Sequence, residues 1–290
     1  MKLSHFPDIL RFGHKNDPFY LEFDRRRGHY SMATDHYHRE YELYYLFSGQ
    51  RNYFIKDDVY QVQSGDLVFI ESNAVHKTSD SDAPNHERIV LYFAPSYFDD
   101  LPAEERDLLL SPFLQEFPLL RLNLQEQLQL EALFHTLLTE LNEQQPGYRL
   151  RISHIASELL LYTARSFLKL ESLPKQESSS VQRKISDVVR YINLHFGEPL
   201  ELDELSRHFF ISKSYLSRMF KQVTGFGFAE YVNLTRVKEA ERLLRETDHS
   251  ITHVSELAGF DNFSHFGKMF KRLTGLTPRA YRESHHPFFR

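Results

Sequence analysis

The 290-residue sequence contains no cysteine. It therefore has no disulfide framework and no site in which thiolates could hold a metal ion, which fits a protein of the reducing cytoplasm. No apolar run approaches the roughly 20 residues that a membrane-spanning helix needs, and the first residues lack a basic-then-apolar signal pattern. We therefore expect a cytoplasmic protein without a membrane partner.

The chain also lacks an overall positive charge: 40 acidic and 35 basic side chains leave a net charge of −5. That value alone would argue against a nucleic-acid partner. The charge is unevenly distributed, however, because residues 183–290 carry 17 basic and 13 acidic side chains, whereas residues 1–182 have a net charge of −9. Such an asymmetry is expected when only one of two domains contacts phosphates.

The stretch from residue 200 to 282 contains the same pattern twice. The motif FKxxTG at Phe220–Gly225, followed by Tyr231, recurs fifty positions later at Phe270–Gly275, followed by Tyr281. Upstream of these motifs the best offset is forty-nine. A turn of variable length between two fixed helices explains the difference of one residue. We interpret the stretch as a tandem of one small helical module.

Each copy predicts a short helix, a turn and a second helix. In the first copy the helices cover Asp203–Phe209 and Lys213–Val223, and Ser212 is placed to cap the second one. In the second copy Leu257 and Phe263 occupy apolar positions that we expect to be buried. The outer face of both second helices carries small or basic side chains and no acid. Because a helix-turn-helix inserts its second helix in the major groove, we expect a double-stranded DNA partner.

One long helix is predicted between the two copies, over Phe228–Arg245. At about 1.5 Å per residue it would span roughly 27 Å, which suits two recognition helices in successive major-groove segments about 34 Å apart. The alternative is a helical bundle whose basic side chains are merely solvated. The candidates for base contacts are Ser214, Ser217, Arg218, Ser264, His265 and Lys268. The candidates for phosphate contacts, which position a protein without reading sequence, are Lys213, Lys221, Lys271 and Arg272.

The second copy contains the pattern Ile251…Ala258-Gly259-Phe260-Asp261…Ser264-x-Phe266…Phe270-Lys271…Gly275-x-Thr277-Pro278…Tyr281-Arg282. This pattern resembles the signature of the AraC/XylS family of bacterial transcription regulators. The resemblance implies an all-α double helix-turn-helix, an activator rather than a repressor with RNA polymerase as a partner, and no enzymatic activity. The positions that depart from residues common in the family are Ser206, Ser255, His265, Gly267 and Lys268.

Residues 1–95 have a different character, with short apolar and aromatic runs separated by turn residues and no helical periodicity. Many short strands at this spacing predict an antiparallel sandwich or barrel. The predicted strands are Tyr41–Phe47, Arg51–Ile55, Tyr60–Val62, Asp66–Ile70 and Arg88–Phe93.

A group of histidines and one carboxylate lies within these strands. Side chains alternate along a strand, so His36, His38 and Glu42 point to one face, and His76 could join them from a neighbouring strand. Three imidazoles and a carboxylate suit a divalent transition metal such as Zn, Ni, Mn or Fe. The stretch resembles the two cupin motifs, in which these four positions would hold a metal. The departures from those motifs are Glu71 and Asn73, where Pro and Gly are usual.

The same group of side chains leaves several functions open. The first is a pocket for a small polar effector, for which analogy with sugar-responsive regulators suggests a sugar or sugar derivative; no metal is then required. The others are a metal-binding sensor, a metal-dependent cupin enzyme fused to a DNA-binding domain, and a purely structural cluster. The effector-binding candidates are His36, His38, Glu42, Tyr44, His76 and Tyr92.

Two long apolar-rich helices follow, over Leu124–Gln144 and Arg149–Leu170. Their apolar surface exceeds what one face of a barrel needs, so we expect the hairpin to form a homodimer; the alternative is that it only covers the end of the cupin.

The fold class is thus a multidomain α+β protein with an N-terminal antiparallel β-barrel of cupin or jelly-roll type. The predicted regions are 1–95, a cupin-like sensor; 96–172, a helical dimerisation segment; 173–182, a Ser-rich linker; and 183–290, the double helix-turn-helix, opened by a helix over Arg183–Phe196.

Overall fold

The computed structural model describes residues 3–28, 37–80, 84–169 and 180–285. The chain folds into two compact units, one of residues 1–56 and 60–177 and one of residues 57–59 and 178–290. The strands are β1 (Ile9–Phe12), β2 (Phe19–Arg26), β3 (Tyr41–Ser48), β4 (Gln50–Ile55), β5 (Asp58–Gln63), β6 (Asp66–Ile70), β7 (His76–Asp80), β8 (His86–Phe93) and β9 (Leu119–Arg121). The α-helices are α1 (Ala103–Leu110), α2 (Leu124–Glu143), α3 (Tyr148–Lys169), α4 (Ser180–His195), α5 (Leu202–His208), α6 (Lys213–Thr224), α7 (Phe228–Glu246), α8 (Ile251–Leu257), α9 (Phe263–Thr274) and α10 (Pro278–His285).

The described strands form two antiparallel sheets. One has six strands in the order β1-β2-β8-β3-β6-β9, and the other has three in the order β5-β4-β7. The antiparallel cupin-like architecture is therefore confirmed, as is the α+β class. The expectation of a closed barrel is wrong for the described residues, because no hydrogen-bonded strand pair joins the larger sheet to the smaller one.

The six-stranded sheet has two different faces because its side chains alternate in direction. On β3, Leu43 and Tyr45 belong to a core that also contains residues of α2 and α3, such as Phe134 and Leu159. The next residue in the same strand, Tyr44, instead packs with side chains of the smaller sheet. One face of the larger sheet thus covers the helical hairpin, and the other encloses an interior with the smaller sheet.

Four strands were not predicted, and their composition explains why. The strand β2 (FYLEFDRR) is interrupted by charged side chains, and β7 (HKTSD) contains no large apolar residue. The strand β1 is four residues long and β9 only three. Hydrophobic patterning cannot find strands that place polar side chains inward or that are this short.

The C-terminal unit consists of seven described helices, and α7 packs against helices of both modules. The connection between α5 and α6 has four residues, 209–212, whereas that between α8 and α9 has five, 258–262. The predicted variable turn is therefore confirmed. Gly225 and Gly275 end α6 and α9 with φ values of 79° and 78°, the left-handed conformation that glycine adopts most readily.

Two details of the modules correct the sequence interpretation. Ser212 occupies the N-cap position of α6 but makes no side-chain cap hydrogen bond, whereas Asn262 caps α9 by accepting from the His265 backbone N–H. Leu257 and Phe263 are 43 % and 51 % exposed rather than buried. Each stands at the end of its helix beside the turn, where the apolar stripe leaves the core.

The predicted linker at 173–182 lies mostly outside the described residues, as does Leu170, the expected end of α3. The four regional boundaries therefore stay predictions. Within the described part of the chain, none of the helices combines the length and apolar character needed to cross a membrane.

Candidate DNA interface and effector site

The helices α6 and α9 carry every candidate for a DNA contact. Both helices bury one apolar stripe, with Leu216 and Phe220 in α6 and Phe266 and Phe270 in α9. The opposite faces are exposed and contain no acidic residue. All ten candidates are exposed: Lys213, Ser214, Ser217, Arg218, Lys221, Ser264, His265, Lys268, Lys271 and Arg272.

Two of these side chains have neighbours within the first module. The Lys213 ammonium forms an ion pair with Asp203 at 2.7 Å, and the Arg218 guanidinium stands 5.6 Å from the centre of the Tyr215 ring. An exposed ion pair of this kind is worth at most about 1 kcal/mol. Lys213 can therefore exchange its carboxylate for a phosphate at little cost.

Arg236 of α7 contacts both the segment after α4 and the turn of the second module. Its Nε donates to the Phe196 carbonyl and its Nη2 to the Glu198 carbonyl, both at 2.8 Å, and its guanidinium lies 5.8 Å from the Phe260 ring centre. Gly259 adopts a φ of 85° beside this contact, and a Cβ added there would lie 2.5 Å from the Phe196 carbonyl oxygen. The turn between α8 and α9 is thus seated on the segment that follows α4.

In the sheet domain, three of the effector candidates lie together. The Nε2 atoms of His38 and His76 stand 3.1 Å and 3.4 Å from Oε2 of Glu42. All three side chains are buried, and their ligand-type atoms lie within 4.8 Å of one another. The fourth candidate, His36, lies outside the described residues. Tyr53, which the sequence interpretation did not include, donates its hydroxyl to the other carboxylate oxygen of Glu42 at 3.1 Å.

The backbone orients both imidazoles. Nδ1 of His38 lies 3.0 Å from the Glu40 carbonyl oxygen, and Nδ1 of His76 lies 2.9 Å from that of Ala74. Because a carbonyl only accepts, each Nδ1 carries a proton, and the opposite ring nitrogen, Nε2, is turned towards Oε2 of Glu42. Two imidazole nitrogens and one carboxylate oxygen therefore converge in the interior.

The carboxyl of Glu42 stays ionised in this cluster. Burial on its own raises the pKa of Glu42, but His76 and His38 more than offset this and hold the pKa well below its usual range. The site therefore combines a buried negative charge with the two imidazoles.

The remaining candidates, Tyr44 and Tyr92, lie in the same interior. Tyr92 stacks on Tyr20 with ring centres 4.4 Å apart and meets the His38 ring edge-on at 5.4 Å. Tyr44 is completely buried and packs edge-on against Tyr53 at 5.0 Å. The structure thus brings all the described candidates to the space between the two sheets.

A second polar group in this interior was missed from the sequence. Oδ2 of Asp24 accepts hydrogen bonds from Nη2 of Arg26 and Nη2 of Arg88, each at 2.9 Å. Burial raises the pKa of Asp24, but the two arginines outweigh it and lower the pKa below the ordinary carboxyl value. The signal that could have found this group is the alternation of β8, which places Arg88 on the same face as Tyr92.

Two family models match the chain. Residues 205–284 match a helix-turn-helix domain and residues 19–160 match an AraC-like ligand-binding domain, so that the two matches cover most of the chain. The chain belongs to the AraC family of transcriptional regulators. The ligand-binding match includes the strands β2 to β9, the helix α2 and the first part of α3, and the helix-turn-helix match includes α6 and α9.

Three individual similar proteins share between 17 % and 36 % sequence identity with this chain. An uncharacterized HTH-type transcriptional regulator of Staphylococcus aureus (strain MRSA252) is 28 % identical over 244 residues, which are 82 % of this chain and 31 % of the relative. The regulatory protein PocR of Salmonella typhimurium is 36 % identical over 108 residues, 36 % of either chain. The crystal structure of ToxT from Vibrio cholerae aligns with 92 % of this chain and 98 % of its own, with 17 % identity and a TM-score of 0.37. The chain spans about a third of the length of the S. aureus relatives that it matches.

Proposed function

We propose that the protein is a sequence-specific, DNA-binding transcriptional regulator whose helices α6 and α9 read successive major-groove segments. The observation that carries the proposal is the pair of exposed, acid-free helix faces presented by two modules on one connecting helix. Short polar and basic side chains on such faces match the donors and acceptors of base edges and the charge of phosphates. Family membership supports the same function.

The test compares a base-reading side chain with a phosphate-binding one. Arg218→Ala should weaken binding by about 1–3 kcal/mol and relax the preference at one base position, whereas Lys221→Ala should weaken binding to all sequences and lower the salt slope by about one. Arg242→Ala is the control, because Arg242 pairs with Glu239 and Glu246 on α7. Equal losses on specific and random DNA for both Arg218→Ala and Lys221→Ala would refute this division of roles.

We further propose that the interior between the two sheets binds a small polar effector, a sugar or sugar derivative by family analogy. The polar side chains of Glu42, His38 and His76, buried between the two sheets beside the partly buried Tyr92, support this role. An effector that binds two arrangements of the protein differently shifts the population towards one of them and so changes DNA occupancy. Effector-dependent DNA binding measured with the intact chain tests it; binding that is identical across a sugar panel would contradict it.

A divalent transition metal is a second candidate ligand of the same interior, favoured by the convergence of one metal-ligating atom each from His38, Glu42 and His76. Metal analysis of untagged protein tests it. The wild type should then hold about one equivalent of metal, Glu42→Gln should lose it, and exchange of the exposed His154 for Ala should not. Absence of metal from the wild type after growth and purification with added zinc or manganese would exclude this candidate.

We also propose that the protein acts as a homodimeric activator that contacts RNA polymerase. Exposed leucines on the helical hairpin support self-association: Leu124 and Leu128 on α2, with Leu168 on α3. Sedimentation analysis should show a dimer that Leu128→Glu converts to a monomer. A monomeric wild type at micromolar concentration would contradict the homodimer, and a reporter gene that is repressed would contradict the activator role.

A further inference from the structure

The side chains of Tyr44 and Arg88 share one face of the six-stranded sheet. Tyr44 lies opposite Val90 in the β3–β8 pair, and Arg88 lies opposite Leu46. Two residues in this relation are diagonal neighbours, about 7–8 Å apart at the backbone and within reach of long side chains.

Both side chains carry a buried polar atom that the described residues leave unsatisfied. The hydroxyl of Tyr44 and Nε of Arg88 have no hydrogen-bond partner there, whereas Nη2 of Arg88 donates to Asp24. A buried donor without an acceptor loses its hydration and gains nothing in return, so few native proteins retain such groups without a function. Two of them side by side indicate a binding position for an acceptor.

The chemistry of the two groups defines that acceptor. Arg88 Nε–H only donates, and the Tyr44 hydroxyl can donate as well. The guanidinium of Arg88 stays cationic in spite of its burial, because arginine does not deprotonate in proteins and Asp24 accepts a hydrogen bond from Nη2. A carboxylate accepts from a guanidinium and a hydroxyl at once, with stronger hydrogen bonds than a neutral oxygen would make.

Near Glu42, in contrast, a ligand must supply hydrogen-bond donors. Glu42 precedes Tyr44 by two residues on the same face of β3, a separation of about 7 Å. There the buried Glu42 carboxylate accepts from the Tyr53 hydroxyl, and a hydroxyl donor of a ligand suits the same carboxylate. A ligand that fits both sides therefore bears a carboxylate at one end and hydroxyl groups along its chain.

We propose that the effector is a hydroxylated organic acid, such as a sugar acid, whose carboxylate is bound by Arg88 and Tyr44 and whose hydroxyls donate to the Glu42 carboxylate. The proposal rests on the effector-sensing function proposed above and names the class of ligand. It assigns specificity to Arg88 and Tyr44: the acid is distinguished from its neutral parent sugar at these two residues.

The first test needs no ligand. Tyr44→Phe removes a hydroxyl that has no protein partner among the described residues, so the melting temperature of the ligand-free protein should stay equal or rise. Tyr53→Phe is the matched control, since its hydroxyl donates to Glu42 and its loss should lower the melting temperature. A Tyr44→Phe protein that melts at a lower temperature than the wild type would overturn the assignment.

The second test uses paired probes: galacturonate with galactose, glucuronate with glucose, and gluconate with glucitol. At least one acid should raise the melting temperature while its neutral parent does not, and Tyr44→Phe should weaken the Kd for that acid about tenfold or more. Arg88→Lys, which keeps the charge but loses the Nε donor, should weaken it similarly. Equal shifts from acids and neutral parents, or no shift from any acid, would overturn the proposal. Gel-shift titration of selected operator DNA with the same variants reports the regulator function separately, because neither residue lies in the DNA-binding unit.

Discussion

Gly259 and Gly267 lie eight residues apart in the second module and should respond oppositely to the same substitution. Gly259 has a φ of 85°, and an added Cβ would meet the Phe196 carbonyl oxygen at 2.5 Å and the Gly197 Cα at 2.9 Å. Around Gly267, in the middle of α9, an added Cβ meets no atom within 4 Å among the described residues. Gly259→Ala should therefore destabilise the helical unit, and Gly267→Ala should stabilise it.

The magnitudes follow from the two environments. At Gly259, alanine costs about 1–2 kcal/mol for the left-handed conformation and a further 1–3 kcal/mol for the clash, because the atoms it meets are backbone and cannot rotate away. The sum is about 2–5 kcal/mol. At Gly267, alanine gains up to about 1 kcal/mol of helix propensity. For a unit of this size, each kcal/mol shifts the melting temperature by about 4 °C.

Thermal unfolding of the full chain, followed by far-ultraviolet circular dichroism, measures both effects. We expect the helical transition to fall by at least about 8 °C in Gly259→Ala and to rise by up to about 4 °C in Gly267→Ala. A Gly259→Ala protein as stable as the wild type would refute the close seating of the turn on the Phe196–Gly197 backbone. Operator affinity of Gly267→Ala then tells whether the glycine lets DNA approach α9: a loss of affinity in the more stable variant would show that it does.

Three further predictions concern other parts of the chain. Phe210→Gly should stabilise the first module by about 0.5–1 kcal/mol in urea unfolding. Phe210 has a φ of 54°, and glycine relieves about 1–2 kcal/mol of backbone strain there, which exceeds its entropic cost of roughly 0.5–1 kcal/mol. A lower stability of the variant would contradict this prediction. Asp24→Asn should lower the free energy of unfolding near pH 7, and this deficit should shrink as the pH falls below about 4. The reason is that the pKa of Asp24 is depressed in the folded protein, so that the wild type loses the stabilising contribution when Asp24 is protonated. A deficit that does not change with pH would exclude the ion pairs. Arg236→Lys should cost about 1–3 kcal/mol because an ammonium does not reproduce the two fixed hydrogen bonds to Phe196 and Glu198, and unchanged unfolding would disprove their contribution.

The helical unit could be predicted from the sequence almost completely. Its apolar stripes recur with helical spacing, and glycine marks the end of α6 and α9, so most predicted bounds lie within one residue of those observed; α4 begins three residues earlier than expected. The errors fall at the turns, where Leu257 and Phe263 are exposed because the stripe ends there. The spacing of apolar residues along a helix does not show which of its ends is covered by a neighbouring element.

The sheet domain was less predictable because the residues that define the interior interrupt its hydrophobic pattern. Asp24 and Arg26 kept β2 from being recognised, and β7 contributes His76 from a strand with no large apolar residue. The histidine spacing placed His38, Glu42 and His76 together correctly. Tyr53 and Arg88 carried no such spacing. Only the contacts of Tyr53 with Glu42 and Tyr44, and the register of β8 against β3, show that they face the same interior.

Both modules should read one DNA site, and selection of binding sequences from a random library by the intact chain tests whether they do. We expect two conserved elements about 10 base pairs apart, with Arg218→Ala losing preference within one element and Lys268→Ala within the other. A single element, or two elements that both variants still select unchanged, would contradict the account.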